Sequence, residues 1–408
     1  MGQEFRIARL GARGDGVTED GAVFVPFALP GERVHGDLEL GDRVRFVQVL
    51  EPSPDRVMPQ CPHFKQCGGC VLQHASDHLL AEWKAELIAA SLASRGIEGV
   101  PVRPVQTVPA ASRRRIAVTA RRTRSGVLTG FLATGSGEIV PVSQCTVAAP
   151  ELIAILPALE EIVRYGASRR GNLRLTLTLA AAGIDLAVTG AKALKPYEMA
   201  LLAGMAARAG LARLAWNGEV AVTISPPVHR LGSATLLPPP GGFLQPTVEG
   251  EAALVAAVLE ITEGAARVAD LFSGSGTFTL PLAERAEVMA VDGEGPAIDA
   301  LEAAWRATPG LRKVVAVHRD LFARPLRRDE LKGLDAAVLD PPRAGARSQA
   351  EQLAEHGPRW IASVSCNPAT FARDARILID GGYRLDWVQP VDQFRWSAHV
   401  ELVGAFRR

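Results

Sequence analysis

Residues 267–278, Arg-Val-Ala-Asp-Leu-Phe-Ser-Gly-Ser-Gly-Thr-Phe, decide how the C-terminal part of this chain folds. A short apolar strand signal runs to Phe272. Gly274 and Gly276 then let the backbone approach a ligand closely before a helical segment begins. The next strand signal, VMAVD, ends on Asp292, 22 residues after Asp270, a spacing at which a carboxylate can take a ribose diol. Outward from this stretch, RVADLF, VMAVD, AAVLD and WIASVS alternate with apolar-periodic helices, the grammar of a doubly wound α/β sheet.

Ligands of such sheets bind beyond the carboxyl ends of the strands. Asp320 follows a third strand, Val314–Val317. Asp340 ends a fourth in Asp-Pro-Pro-Arg, and Cys366 ends a fifth in Val-Ser-Cys-Asn-Pro. Each residue alone has a plainer use, as a helix cap, a turn former or a small buried hydrophobe. Their coincidence at one crevice selects the functional reading. The loop lacks the third glycine of a dinucleotide fingerprint, so S-adenosylmethionine, with no phosphate to cradle, fits it better. Cys366 precedes Asn367-Pro368 and the segment ATFARDARIL, whose helix dipole is expected to favour the thiolate and make it a nucleophile. Glu401, in the terminal strand SAHVELVGAF beside His399, is the candidate general base.

A second chemistry lies upstream. Cys61, Cys67 and Cys70 form C-x5-C-x2-C in CPHFKQCGGC, with Cys145 as a distant partner. The N-terminus has no signal-peptide core, so a cytoplasmic location is expected, where thiols stay reduced and such a set binds metal. Four thiolates suit iron and sulfide, with zinc as the alternative.

The first 55 residues read as short strands between turn signals, among them Glu4–Leu10, Ala22–Phe27, Arg33–Leu38 and Arg43–Leu50, suggesting a small five-stranded barrel. Residues 56–240 follow as a central α+β domain. It holds the cysteine set, a helix over Val71–Gly96 and a hairpin in which Leu173, Leu175, Leu177 and Leu179 share a face. LLPPPGG at 236–242 marks its end, and 241–408 form the α/β domain. With 48% hydrophobic and 22% charged residues the chain is globular, and no apolar run is long enough to span a membrane. A net charge of +1 argues against a wholesale polyanion binder. Seven arginines between Arg103 and Arg124, with no acid among them, nevertheless suggest a phosphate-contacting patch, Arg113, Arg114 and Arg115 included.

Taken together, CPHFKQCGGCVLQH, Cys145, FLQPT, DLFSGSGTFTLPLA, DPPRAG, SCNPATFARD and the terminal HVE resemble the RNA uracil-5-methyltransferases. The resemblance spans nearly the whole chain and is greatest to the iron–sulfur enzymes acting on 23S ribosomal RNA. It implies a TRAM-type (OB-like) barrel, a Rossmann-like class I methyltransferase domain, and a monomer acting on an unstacked uridine without a membrane. By motif it assigns Cys61, Cys67, Cys70 and Cys145 to a 4Fe-4S cluster, Cys366 as nucleophile and Glu401 as base. Gln245, Phe272, Gly274, Thr277, Asp292, Asp320 and Asp340 would line the S-adenosylmethionine pocket. Departures are Thr277 and Thr247 where asparagine is usual, Asp292 for glutamate, and Arg395 and Ser397 before His-Val-Glu. A tRNA-directed uracil-5 enzyme, a cytosine-5 enzyme and a non-catalytic iron–sulfur RNA-binding factor are the alternatives. Intact Cys366 and Glu401 weigh against the last, and Ser-Cys-Asn-Pro against the cytosine type.

Overall fold

The computed structural model describes residues 2–39, 41–168, 171–195 and 197–408. Three sheets account for most of the strands. The first runs in the order Phe24–Val25, Gly16–Thr18, Gln3–Leu10, Arg33–Leu38, Val44–Glu51. A parallel bridge from Phe24 to Arg43 brings its two outer strands together, so the sheet curls into a nearly closed barrel around Ile7, Val25, Val34 and Val44. The strand expected over Ala22–Phe27 shrinks to two residues. Phe27, at φ 58°, has left extended geometry and turns the chain.

The second sheet has seven strands, in the order Glu219–Thr223, Leu211–Trp216, Gly183–Thr189, Leu173–Ala180, Arg115–Arg122, Val127–Leu132, Ile139–Pro141. The predicted hairpin is present, with Leu177 paired to Leu186 and Gly183 at the turn with φ +121°. Leu173, Leu175 and Leu177 are buried on its inner face; Leu179 is partly so.

The third sheet is the doubly wound one. Its order is Val314–His318, Glu287–Asp292, Arg267–Leu271, Ala336–Leu339, Trp360–Ser365, Glu401–Arg407, Arg384–Asp392, Gln106–Thr107. The first five strands are parallel, and Glu401–Arg407 pairs antiparallel to both its neighbours. Arg267–Leu271 comes first in this unit of the chain yet lies inside the sheet. The order therefore reverses there, and a crevice opens at its carboxyl end.

Two segments read as central belong physically to this third sheet. Gln106–Thr107 extends its edge. The helix Asp77–Ala93 lays Ile88 and Leu92 against Phe371, Ala375 and Leu378 of the helix Pro368–Asp380. That first helix starts six residues later than its apolar pattern suggests. Ser76 caps it, accepting from the Leu79 amide at 3.1 Å, while the Val71 and Leu72 amides bond elsewhere.

Candidate active site and cysteine pocket

The crevice is built from strand ends. Ser365 pairs with Leu402 as the last rung between neighbouring strands, and Val391 pairs with Glu401 on the other side. One step beyond that rung stand Cys366 and Glu401. Asp340 follows the strand beside Cys366, and its amide donates to the Leu271 carbonyl at 3.1 Å. Phe272 leaves the central strand at φ 63°, a left-handed conformation disfavoured for a bulky residue. Gly274 follows at φ +53° with open space where a side chain would project, whereas a Cβ on Gly276 would strike Leu301 at 2.4 Å. Asp292 holds this loop: its two carboxylate oxygens accept from the Gly274 and Glu294 amides, at 2.8 and 2.7 Å. Carboxylate oxygens have lone pairs for more than one donor each, so these bonds leave capacity for a ligand.

Gln245 is buried, and its Oε1 accepts from Gln393 Nε2 at 2.7 Å. Thr277 lies in the glycine loop, partly buried. Asp320 does not point its carboxylate into the interior. It is exposed, and its Oδ1 accepts from the Phe322 and Ala323 amides, as a turn former does. The exposed ring of Phe322 stands 5.3 Å from that of Phe272, placing an aromatic pair over the mouth of the loop.

Electrostatically the crevice is crowded with acids. Burial pushes the Glu401 carboxyl up to about 7, against a hydrogen bond from Gln393 and the nearby Arg343. Asp270, fully buried, is likewise raised by burial to about 7. Thr279 Oγ1 donates to its Oδ2 at 2.5 Å, and its Oδ1 has no partner among the described residues. Burial, with the charges of Glu401, Asp270 and Asp292, raises Asp340 well above the usual carboxylate range. A pocket of this kind attracts a cation.

The thiol differs from expectation. Cys366 does sit directly before the capping residue Asn367 of the helix Pro368–Asp380. Its pKa is nevertheless raised, to about 11, by burial and by the carboxylates of Glu401 and Asp340; Arg343 offsets only part of this. The helix dipole is outweighed by two like charges and desolvation. The resting thiol is therefore protonated.

Sequence reading missed two residues here. Gln393 donates to Gln245 and lies beside Glu401, whose pKa it lowers, and Arg343 is the cation that acts on the thiol, its Nη2 lying 3.2 Å from His399 Nδ1. A polar residue at a buried strand end and the arginine of Asp-Pro-Pro-Arg were the available signals.

The four upstream cysteines converge. All line one cavity of about 290 Å3, and no disulfide joins them. The Gly69 amide donates to Cys67 Sγ and the Ala148 amide to Cys145 Sγ, each at 3.4 Å. Arg113 and Arg115 line the same cavity, and the Nε of each is buried without a partner among the described residues. Burial holds the Cys70 thiol at about 12. Among the described residues, no three His, Cys, Asp or Glu side chains are placed to hold a single metal ion. A cubane cluster spreads its ligands farther apart than one ion does. The donor set, the amide-to-sulfur bonds and the adjacent guanidiniums suit such an anionic group.

The arginine run divides, contrary to expectation. Arg114 is buried: its Nη2 donates to Glu251 at 2.6 Å and its Nε to the Gln245 carbonyl. Arg115 donates to the Gly241 carbonyl. Arg103 pairs with Glu260 and stacks on Trp387 at 3.4 Å. Only Arg121, Arg122 and Arg124 are exposed. Arg114 and Arg115 are internal ties, and Arg113 is partly buried at the cysteine cavity, 5.5 Å over the Phe394 ring. Among the described residues no helix is long and apolar enough to cross a membrane.

No family model matches the chain. An uncharacterized RNA methyltransferase of Brucella suis is 42% identical over 99% of this chain and 98% of its own. The 23S rRNA (uracil(1939)-C(5))-methyltransferase RlmD of Shewanella sp. strain MR-7 is 32% identical, covering 99% and 95%. The crystal structure of the Pyrococcus abyssi tRNA (uracil-54, C5)-methyltransferase with S-adenosyl-L-homocysteine superposes with TM-score 0.78 at 25% identity, over 99% of each chain. With relatives this similar along its whole length, the chain belongs to the S-adenosylmethionine-dependent RNA methyltransferases, the family that includes the uracil-C5 enzymes.

Proposed function

We propose that this enzyme methylates carbon 5 of a uridine in 23S ribosomal RNA through a covalent adduct with Cys366. The observation that carries the reading is the strand register that sets Cys366 and Glu401 side by side at the crevice mouth. S-adenosylmethionine supplies the methyl group. Asp292 would take its ribose; Gly274 would give it room; Phe272, Thr277, Asp320 and Gln245 would line its pocket; and Asp340 would face its positive charge.

Carbon 5 of uracil is a weak nucleophile. Cys366 loses its proton to solvent, Glu401 staying ionised, and the thiolate forms a sulfur bond to carbon 6. The ring double-bond electrons shift onto the carbon 4 oxygen as an enolate. Carbon 5 then takes the methyl group, and the former sulfonium keeps the bonding pair. Glu401 removes the carbon 5 proton, that pair restores the ring double bond, and the carbon–sulfur bond breaks to release Cys366. Reaching the thiol requires the base to leave its stack, so a loop uridine is the fitting substrate.

Cys61, Cys67, Cys70 and Cys145 would hold a 4Fe-4S cluster. Its contribution is a crosslink tying the 61–70 turn to residue 145.

A tRNA target is the second reading, favoured by the superposition on the archaeal tRNA enzyme. Mass-spectrometric mapping of 5-methyluridine in ribosomal and transfer RNA, with and without this gene, separates the two. Loss of a 23S signal is expected; loss confined to tRNA would reassign the substrate, and no loss would refute the activity.

A further inference from the structure

Between Asp392 and Glu401 the chain makes a loop that is anchored at many points. Its first residue, Asp392, is buried and pairs with the equally buried Lys84 of the helix Asp77–Ala93 at 2.5 Å. Arg395 Nη2 donates to Asp77 at 2.5 Å, and Nη1 to the Val108 carbonyl at 3.0 Å. The Trp396 carbonyl accepts two amides in succession, Val71 at 2.9 Å and Leu72 at 3.0 Å, directly after Cys70. Trp396 adopts φ 58°, and its ring packs with Leu10 and Leu29 of the barrel, Leu72, Leu80 and Trp83. A left-handed, bulky residue is costly on its own and persists only where its surroundings impose it. Arg113, which lines the cysteine cavity, also stands 5.5 Å over the Phe394 ring.

The anchors come from four places: the barrel, the cysteine turn, the first helix and Val108 after the edge strand Gln106–Thr107. All of them converge on the nine-residue approach to Glu401. We infer that Trp396 is a positioning residue: through the Cys70–Leu72 turn it fixes the loop that aims Glu401 at carbon 5. The inference rests on the reading of Glu401 as the base. The cysteine pocket thereby acquires a use in the reaction without touching the substrate, because the turn that bears Cys70 is also the turn that holds the loop.

If Glu401 is misaimed, attack by Cys366 and methyl transfer still occur. Removal of the carbon 5 proton fails, its bonding pair cannot re-form the double bond, and the carbon–sulfur bond stays. The test compares Trp396→Leu, Trp396→Phe, Glu401→Gln and the parent holoenzyme on a substrate RNA fragment. The readouts are turnover, the fraction of denaturation-resistant methylated adduct, RNA affinity and thermal midpoint. Trp396→Leu is expected to slow turnover by about 10- to 100-fold and accumulate adduct, with affinity within about twofold, and Trp396→Phe to restore turnover. If Trp396→Leu does not fold, Arg395→Met, which breaks a more exposed anchor of the same loop, is expected to raise the adduct fraction to a smaller extent. Unchanged turnover and adduct, or lost affinity without adduct, overturns the inference. Glu401→Gln that turns over normally overturns the base reading instead, and the two failures are distinct.

Discussion

Two thiol sites in one chain differ chiefly in the charges that face them. Cys366 looks onto carboxylates: Glu401 and Asp340 raise its pKa, and it rests as a thiol. Cys61, Cys67, Cys70 and Cys145 share a cavity with Arg113 and Arg115, whose buried Nε groups have no partner among the described residues. If Cys366 is the proposed nucleophile, the first arrangement would keep it latent until a cationic ligand neutralises its surroundings. The second offers positive charge to thiolates that would be unstable without it. On the proposed roles, the same side chain would serve as a reagent in one place and a ligand in the other, according to its neighbours.

The sharpest way to break this comparison is to remove one ligand of the second site. Cys70→Ser should abolish the iron and sulfide content of anaerobically purified protein, measured by metal analysis and visible absorption, and lower the thermal midpoint. A parent protein that is colourless, with one zinc and no iron, would show that the pocket is built for another group. Next in size is the buried tie between the sheets. Arg114→Met strands Glu251 in the interior and should cost on the order of 3 kcal/mol in denaturant unfolding. A neutral result would mean the pair is dispensable.

The acidity of the crevice gives a pH signature. Glu401 must be ionised to act, so turnover should fall about tenfold per pH unit below 7 and level off above it; a flat profile from pH 5 to 8 would contradict the raised value. The stability effect has the opposite sense. The folded carboxyl is raised above its ordinary 4.5, so its contribution is fully present below that value and lost as pH rises through 7. Glu401→Gln should therefore be more stable than the parent at pH 8, by on the order of 3 kcal/mol. The smallest effect concerns the exposed arginines. Replacing Arg121, Arg122 and Arg124 by alanine should flatten the salt dependence of RNA binding by up to about 0.7 per lost contact. An unchanged slope would leave them as a solvated face.

Much of this was legible in sequence because strand ends announce themselves. Asp292, Asp340 and Cys366 each close an apolar strand, and parallel pairing brings such ends to one edge. Spacing also marked the cysteine set, and the structure gathers all four around one cavity. What escaped was set by pairs distant in the chain. Arg114 looked like surface charge because Glu251, its partner, lies 137 residues away. The thiol's acidity was misjudged because its local helix dipole is visible in sequence, whereas Glu401 arrives from the neighbouring strand. Asp320 follows its strand as the other acids do, and its Oδ1 caps its own turn two residues onward. The helix Asp77–Ala93 was correctly a helix, but its packing partner belongs to the far end of the chain.

The central claim is the division of labour between Cys366 and Glu401. Denaturing electrophoresis of enzyme mixed with methyl-labelled S-adenosylmethionine and a substrate RNA fragment tests it most directly. Cys366→Ala should give neither product nor covalent complex, with turnover down on the order of 10⁴-fold or more. Glu401→Gln should trap a labelled, covalently bound RNA. Normal turnover by Glu401→Gln, or a covalent complex formed by Cys366→Ala, would contradict the account.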